Sequence, residues 1–355
     1  MLRSFVWIAS VLAALFTTAC SQGIRLDPQA EPLPKLSEYG FFKGKLAALA
    51  PAEGVLPYDL NTPLFTDYAH KARFVWMPKG TSAKYNADET FEFPEGAVLI
   101  KNFYYPADFR KPEGERRVVE TRLLVRAADG WKAHTYVWNE EQTDAHLEVA
   151  GEETVVSWVH YDGKPRKADY IVPNRNQCKG CHIFGKTQLP IGPKARNLNK
   201  TFAYADGNEN QLVRWTKMGY LTGAPADPKL APRLAVYDDP STGTLDERAR
   251  AWLEINCAHC HNPKGPGGTS GLNLLASNRD ETAFGFCKHP IAAGRGSGNL
   301  EVDIHPGKPE KSILLYRIAS TDPGAMMPEL GRTTVHEEGV ALIREWIASL
   351  QGDCD

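Results

Sequence analysis

Two short stretches of the chain combine residue types and spacing suited to one covalent chemistry. Cys178-Lys179-Gly180-Cys181-His182 and Cys257-Ala258-His259-Cys260-His261 each place two thiols three positions apart, with an imidazole directly after the second. Two thiols on one turn can each form a thioether with a vinyl group of a haem. The histidine that follows then lies under the iron and supplies its proximal nitrogen. The expected attachment residues are therefore Cys178, Cys181, Cys257 and Cys260, with His182 and His261 as proximal ligands of two covalently bound c-type haems. The competing chemistry for these residue types is a thiolate–imidazole zinc site or a disulfide. Repetition of the full pattern, on a chain with an export signal, favours haem.

A distal ligand is expected for the second motif. Gly324-Ala325-Met326-Met327-Pro328 lies on a loop ahead of the last helix. A thioether sulfur is soft and prefers Fe(II), so it raises the reduction potential relative to a second histidine. Met327 is the expected ligand because Pro328 directly follows and stiffens the loop; Met326 is the alternative. For the first motif no distal ligand stands out. Met218, Met77, His70, His134, His146, His160, Lys194 and Lys200 all remain open, as does an empty sixth position. His259, inside the second motif, is expected to face solvent. Arg175, Lys179 and Arg196 are candidates to meet a haem propionate.

The elements that must position these residues differ along the chain. Residues 36–173 read as an antiparallel β-rich domain, after a short helix near Leu36–Ala50. Val118–Val125 and Trp131–Trp138 flank the turn Ala127-Ala128-Asp129-Gly130, and Glu153–His160 and Ala168–Val172 flank a second turn at Asp162-Gly163. This domain carries no G-x-S-x-G, H-E-x-x-H or phosphate loop. Asp67, His70 and Lys71 are read as a solvated surface. Residues 174–223 form the first haem-binding region, with a helix over Asn208–Met218 that Gly219 ends. Residues 224–240, with four prolines, read as a linker. Residues 241–355 form the best-patterned unit. Thr244-Leu245-Asp246-Glu247 is a capping box whose helix runs into Cys257, and Thr334-Val335-His336-Glu337 is a second box opening an amphipathic last helix. The expected fold class is thus α+β and multidomain, with mainly α haem-binding regions after the β-rich part.

The 355 residues, 42% hydrophobic and 24% charged, are ordinary for globular protein, and the net charge of −2 points to neither nucleic acid nor an anionic membrane as partner. Residues 1–20 read as a signal peptide: Arg3, then an apolar run from Phe5 to Phe16, then Thr17-Thr18-Ala19-Cys20. The pattern suggests a lipoprotein signal with Cys20 lipidated, although Thr17 stands where leucine is usual. Residues 21–35 read as a tether. The mature protein is then expected on the periplasmic side of the envelope, held to the membrane by its lipid. Of the seven cysteines, Cys287 and Cys354 are left over and are candidates for a disulfide.

Three further stretches carry a resemblance. They are Pro63-Leu64-Phe65-Thr66-Asp67-Tyr68-Ala69; Tyr136-Val137-Trp138-Asn139-Glu140-Glu141-Gln142-Thr143-Asp144-Ala145; and Pro173-Asn174 through Gln177-Cys178-x-x-Cys181-His182, continuing to Pro190-Ile191-Gly192 and Arg196-Asn197-Leu198-Asn199. In these the chain resembles a bacterial family of dihaem c-type cytochromes with a β-rich N-terminal region. Its C-terminal part resembles a class I cytochrome c domain. The resemblance implies haem binding and electron transfer at the cell envelope, with an envelope redox protein or dehydrogenase as donor or acceptor. The expected function is non-catalytic electron transfer. The alternatives are a peroxidase-type dihaem enzyme working at an open first haem, or a redox-sensing envelope binding module.

Overall fold

The structure, a computed structural model, describes residues 23–291 and 293–354. Residues 1–20, read above as a signal peptide ending in Cys20, lie outside the described residues. Six strands form one antiparallel meander: β1 Leu56–Tyr58, β2 His70–Trp76, β3 Val98–Pro106, β4 Arg116–Ala127, β5 Gly130–Trp138 and β6 Ala145–Glu148. Strands β2 to β5 are long because β-branched and aromatic residues recur in them and fit a pleated, buried surface. The Ala127–Gly130 hairpin is where the turn residues require it, with Gly130 at φ 138°. A second hairpin, β7 Glu152–Val159 and β8 Pro165–Val172, pairs with itself.

Successive side chains in a strand point to opposite faces, and each face of the sheet has its own cover. Phe74, Ile100, Leu123, Val125 and Tyr136 bury against Leu36, Tyr39, Phe41 and Leu49 of the N-terminal segment. Val75, Leu99 and Trp131 bury against Leu198, Leu212 and Trp215 from the region that follows the first motif. The β7–β8 hairpin covers the end near Phe103, through Trp158 and Tyr170.

Seven α-helices follow the sheet: α1 Arg175–His182, α2 Ala195–Leu198, α3 Gln211–Lys217, α4 Leu245–Leu253, α5 Glu281–Phe284, α6 Ile313–Ala319 and α7 Glu337–Ser349. The C-terminal core joins α4, α6 and α7 through Trp252, Leu253, Leu315, Ile343 and Trp346. The architecture is therefore mixed, with one large antiparallel sheet followed by helices. Among the described residues no helix is long and apolar enough to cross a membrane.

Several expectations need correction. Residues 36–50 hold two short 3-10 turns, Leu36–Tyr39 and Leu46–Ala48, rather than one helix. The described part of the tether is packed: Ile24, Leu26 and Leu33 lie on the sheet's core, and Arg25 N–H donates to Tyr39 O at 3.0 Å. The linker is also bound, because Thr62 Oγ1 donates to Ala235 O at 3.0 Å and Leu234 N–H to Arg196 O at 2.9 Å. Proline removes donors but leaves carbonyls free to accept, so a proline-rich strand can still be fastened. Helix α7 starts at Glu337, without a side-chain cap. The Thr334 hydroxyl does not cap it because it donates to Asp67 instead.

Candidate functional site

Helix α4 delivers the second motif. Its capping box forms as expected: Glu247 N–H donates to Thr244 Oγ1 at 3.2 Å, and Thr244 N–H to Glu247 Oε2 at 2.8 Å. The helix then widens into a π-turn over Glu254–Ala258. Asn256 holds this turn from both sides, donating from Nδ2 to Trp252 O at 2.9 Å and accepting at Oδ1 from Phe65 N–H at 2.8 Å. Such insertions re-aim the side chains that follow them. Cys257 is buried, and burial pushes its thiol up to about 12.

One further turn brings His261 into place, with its N–H donating to Cys257 O at 2.9 Å. Ring atom Nδ1 lies 3.0 Å from Ser270 Oγ. Donation from Nδ1 to that oxygen would leave Nε2 as the free lone pair, the tautomer a metal needs. Burial, with Arg317 nearby, holds the imidazole down to about 4, so it is neutral at pH 7.

Cys257, Cys260, His261 and Met327 all line one cavity of about 610 Å³, with apolar walls that include Leu274 and Phe284. Cofactor sites typically span roughly 300–1,000 Å³. Two thiols, a neutral imidazole and a thioether around a cofactor-sized apolar space fit a covalently held haem. Met326 is not among the residues that line this cavity. The Met327 loop is fixed by Arg332, which donates to Met327 O from Nε at 3.1 Å and from Nη2 at 2.8 Å.

The first motif occupies α1, a helix whose capping box the sequence reading did not register. Asn174 Oδ1 accepts from Asn176 and Gln177 N–H, and Gln177 Oε1 accepts from Asn174 N–H at 2.8 Å. His182 Nδ1 lies 2.8 Å from Leu189 O, again the arrangement that frees Nε2. The donor set of the first motif therefore suits a haem. The cavity beside His182 is narrow, about 60 Å³, while Gly180 and Cys181 also line the larger cavity of the second motif.

The reason lies in how the two motifs meet. Ligand atoms of Cys181, His259 and Cys260 lie within 4.8 Å of one another, and Cys260 Sγ donates to Gly180 O at 3.7 Å. His259 is thus half-buried between the motifs rather than facing solvent, with Nδ1 buried and unpartnered.

Among the distal candidates for the first motif, Lys194 shares the small cavity with His182. The others are placed elsewhere. Met77 is in the core, Met218 is exposed, and His70 packs on Phe109 and Tyr104. His134 has the strand parity of Tyr136, on the face covered by the N-terminal segment. His146 is exposed, His160 is held by Trp158 Nε1 at 3.2 Å, and Lys200 pairs with Asp59 at 3.3 Å.

Arg196 is committed to a buried pair with Glu254 at 3.3 Å, while Arg175 and Lys179 are exposed. Basic groups also reach the first motif from the sheet, where Arg73, Lys101 and Arg122 stand side by side on β2, β3 and β4, with Lys101 held well below the usual lysine range by burial. Arg122 acts on Cys178 and Lys101 on His182. Arg73 pairs with Asp59 and Arg122 with Glu120, but no carboxylate among the described residues lies within ion-pair reach of Lys101 or Lys71. Only strand register reveals this row. Cys287 and Cys354 form a disulfide, Cα–Cα 5.1 Å. Comparison with known protein families, with characterised proteins and with solved structures finds no match for this chain.

Proposed function

We propose that this chain is a dihaem c-type cytochrome that transfers electrons on the periplasmic side of the bacterial cell envelope. A lipid on Cys20 would anchor it, and an envelope redox protein or dehydrogenase would exchange electrons with it. The observation that carries this reading is that Cys257, Cys260, His261 and Met327 line one and the same largely apolar cavity. The C-terminal part, with its capped helix running into the motif and a last helix packed across it, supports a class I cytochrome c-like domain.

A haem bound there would supply a one-electron centre. The chain's own residues would do the rest. Cys257 and Cys260 tether the group. His261 offers a neutral nitrogen whose tautomer Ser270 favours. Met327 offers a soft sulfur that would favour the reduced state, and apolar lining residues such as Leu274 and Phe284 would lower the local dielectric. Held by both His261 and Met327, a haem would exchange electrons without binding substrate.

A second reading attaches to the first motif. Of the distal candidates only Lys194 shares the small cavity with His182, and His259 of the second motif lines it as well, so a haem there would find a lysine or that histidine nearby, or be left open to substrate. The open case favours a peroxidase-type enzyme as the alternative. Optical spectroscopy tests the main reading. The oxidised protein should show a methionine–iron charge-transfer band that Met327→Ala abolishes and Met326→Ala leaves intact. Persistence of the band in Met327→Ala would refute the assignment. Peroxide turnover by the purified protein would favour the enzyme.

A further inference from the structure

The segment Phe65–Tyr68 reaches across to both sides of the second motif's cavity. Asp67 is 1% exposed, and a buried carboxylate is costly unless it is fully hydrogen-bonded. Its Oδ1 accepts three bonds, from Thr333 N–H, Thr334 N–H and Thr334 Oγ1, each at 2.7 Å. Tyr68 OH accepts from Glu337 N–H at 3.0 Å and donates to Glu338 Oε2 at 2.9 Å. Asp67 and Tyr68 have φ of 43° and 61°. Side chains other than glycine rarely adopt that region, and such strain persists only where surrounding contacts enforce it. Here Tyr105 OH, which donates to Asp67 O at 2.7 Å, is one of those contacts.

The relay continues to the ligand loop. Arg332 is 5% exposed. It donates to the carbonyls of Met327, Thr334, Ser320 and Arg317. No carboxylate among the described residues forms an ion pair with it; burial disfavours its charge, and Asp67 is the carboxylate that partly offsets this. Asp67 thus fixes Thr333 and Thr334, next to Arg332, and Arg332 fixes the Met327 carbonyl. On the other side, Phe65 N–H holds Asn256 and hence the π-turn before Cys257, while the Phe65 ring stacks on His336 at 4.4 Å.

We propose that Asp67 is a positioning residue for the axial ligand Met327, acting through Thr333, Thr334 and Arg332, so that the β-rich region sets the geometry of the second haem. This rests on the reading of Met327 as that ligand. It gives Asp67, which the sequence places on a solvated surface with His70 and Lys71, a role in the electron-transfer site.

The test uses the haem-loaded full chain. Asp67→Ala should weaken the methionine–iron band and raise the affinity of the second haem for added imidazole at least about tenfold, since three hydrogen bonds are lost and a single one corresponds to roughly that factor. Asp67→Asn should restore part of both signals. Asp144→Ala, which removes a comparable bond to Ser37 elsewhere, should change neither. If Asp67→Ala does not fold, Thr334→Ala decides, with Thr334→Ser as its rescue. A wild-type band that survives in these variants, with imidazole affinity unchanged within about twofold, overturns the positioning proposal. Absence of the band in wild type instead overturns the ligand reading on which it rests.

Discussion

Replacing Gly339 with alanine gives a sharp test of how the helices of the second motif are packed. Helix α7 crosses α4 where Gly339 faces Trp252. A Cβ at that position would lie 2.6 Å from Cε2, Cζ2 and Nε1 of the indole. The ring has nowhere to go: Trp252 is 3% exposed, and Nε1 donates to His336 Nδ1 at 3.0 Å. Helix propensity alone would make alanine better by about 1 kcal/mol. Forcing an extra methyl into a packed core costs about 1–3 kcal/mol, and breaking the indole–imidazole bond adds about 1 kcal/mol. The clash should win, with a net loss of about 1–3 kcal/mol. Denaturant unfolding of wild type and Gly339→Ala measures this. In a Trp252→Leu background the same alanine should cost much less, because the contact is gone. A Gly339→Ala protein as stable as wild type, or more so, would refute the packing argument.

Three further outcomes follow from the geometry. Arg196→Met should destabilise by about 3–5 kcal/mol because it strands the buried Glu254, whereas Arg196→Met with Glu254→Gln should cost far less; chemical denaturation reads both. Lys71 is held down to about 7, chiefly by burial and then by Arg73. The unfolded chain therefore binds the extra proton between about pH 7 and 10.5, and stability should rise with pH across that window. Lys71→Met should remove this part of the slope in a pH series of unfolding curves. Cys287→Ser or Cys354→Ser opens a cross-link spanning 67 residues, which the chain-entropy relation values at about 4 kcal/mol. Unfolding with and without reductant should show that loss in wild type and no reductant effect in either variant.

What could be read from the sequence was local. The two motifs, the Thr244 capping box, both hairpins and Met327 are each defined by residues within a few positions of one another. What escaped it depends on partners far along the chain. Asp67 looked like surface because the groups that donate to its carboxylate belong to Thr333 and Thr334, more than 260 positions away. The second capping box failed for the same reason: a distant carboxylate took the threonine. His259 was misplaced because nothing local shows that α1 packs against the second motif. The tether and linker looked free because proline and polar residues leave no apolar periodicity, yet carbonyls and isolated side chains still fasten them. Arg196 was offered to a propionate on sequence proximity, but Glu254 had already claimed it.

The most direct test is to count covalently attached haems on the exported protein by intact mass spectrometry, in wild type and in each motif variant. Two haem masses are expected on wild type. One should remain in Cys257→Ala/Cys260→Ala and one in Cys178→Ala/Cys181→Ala. A wild-type chain carrying none, or a count that either double variant leaves unchanged, would contradict the account.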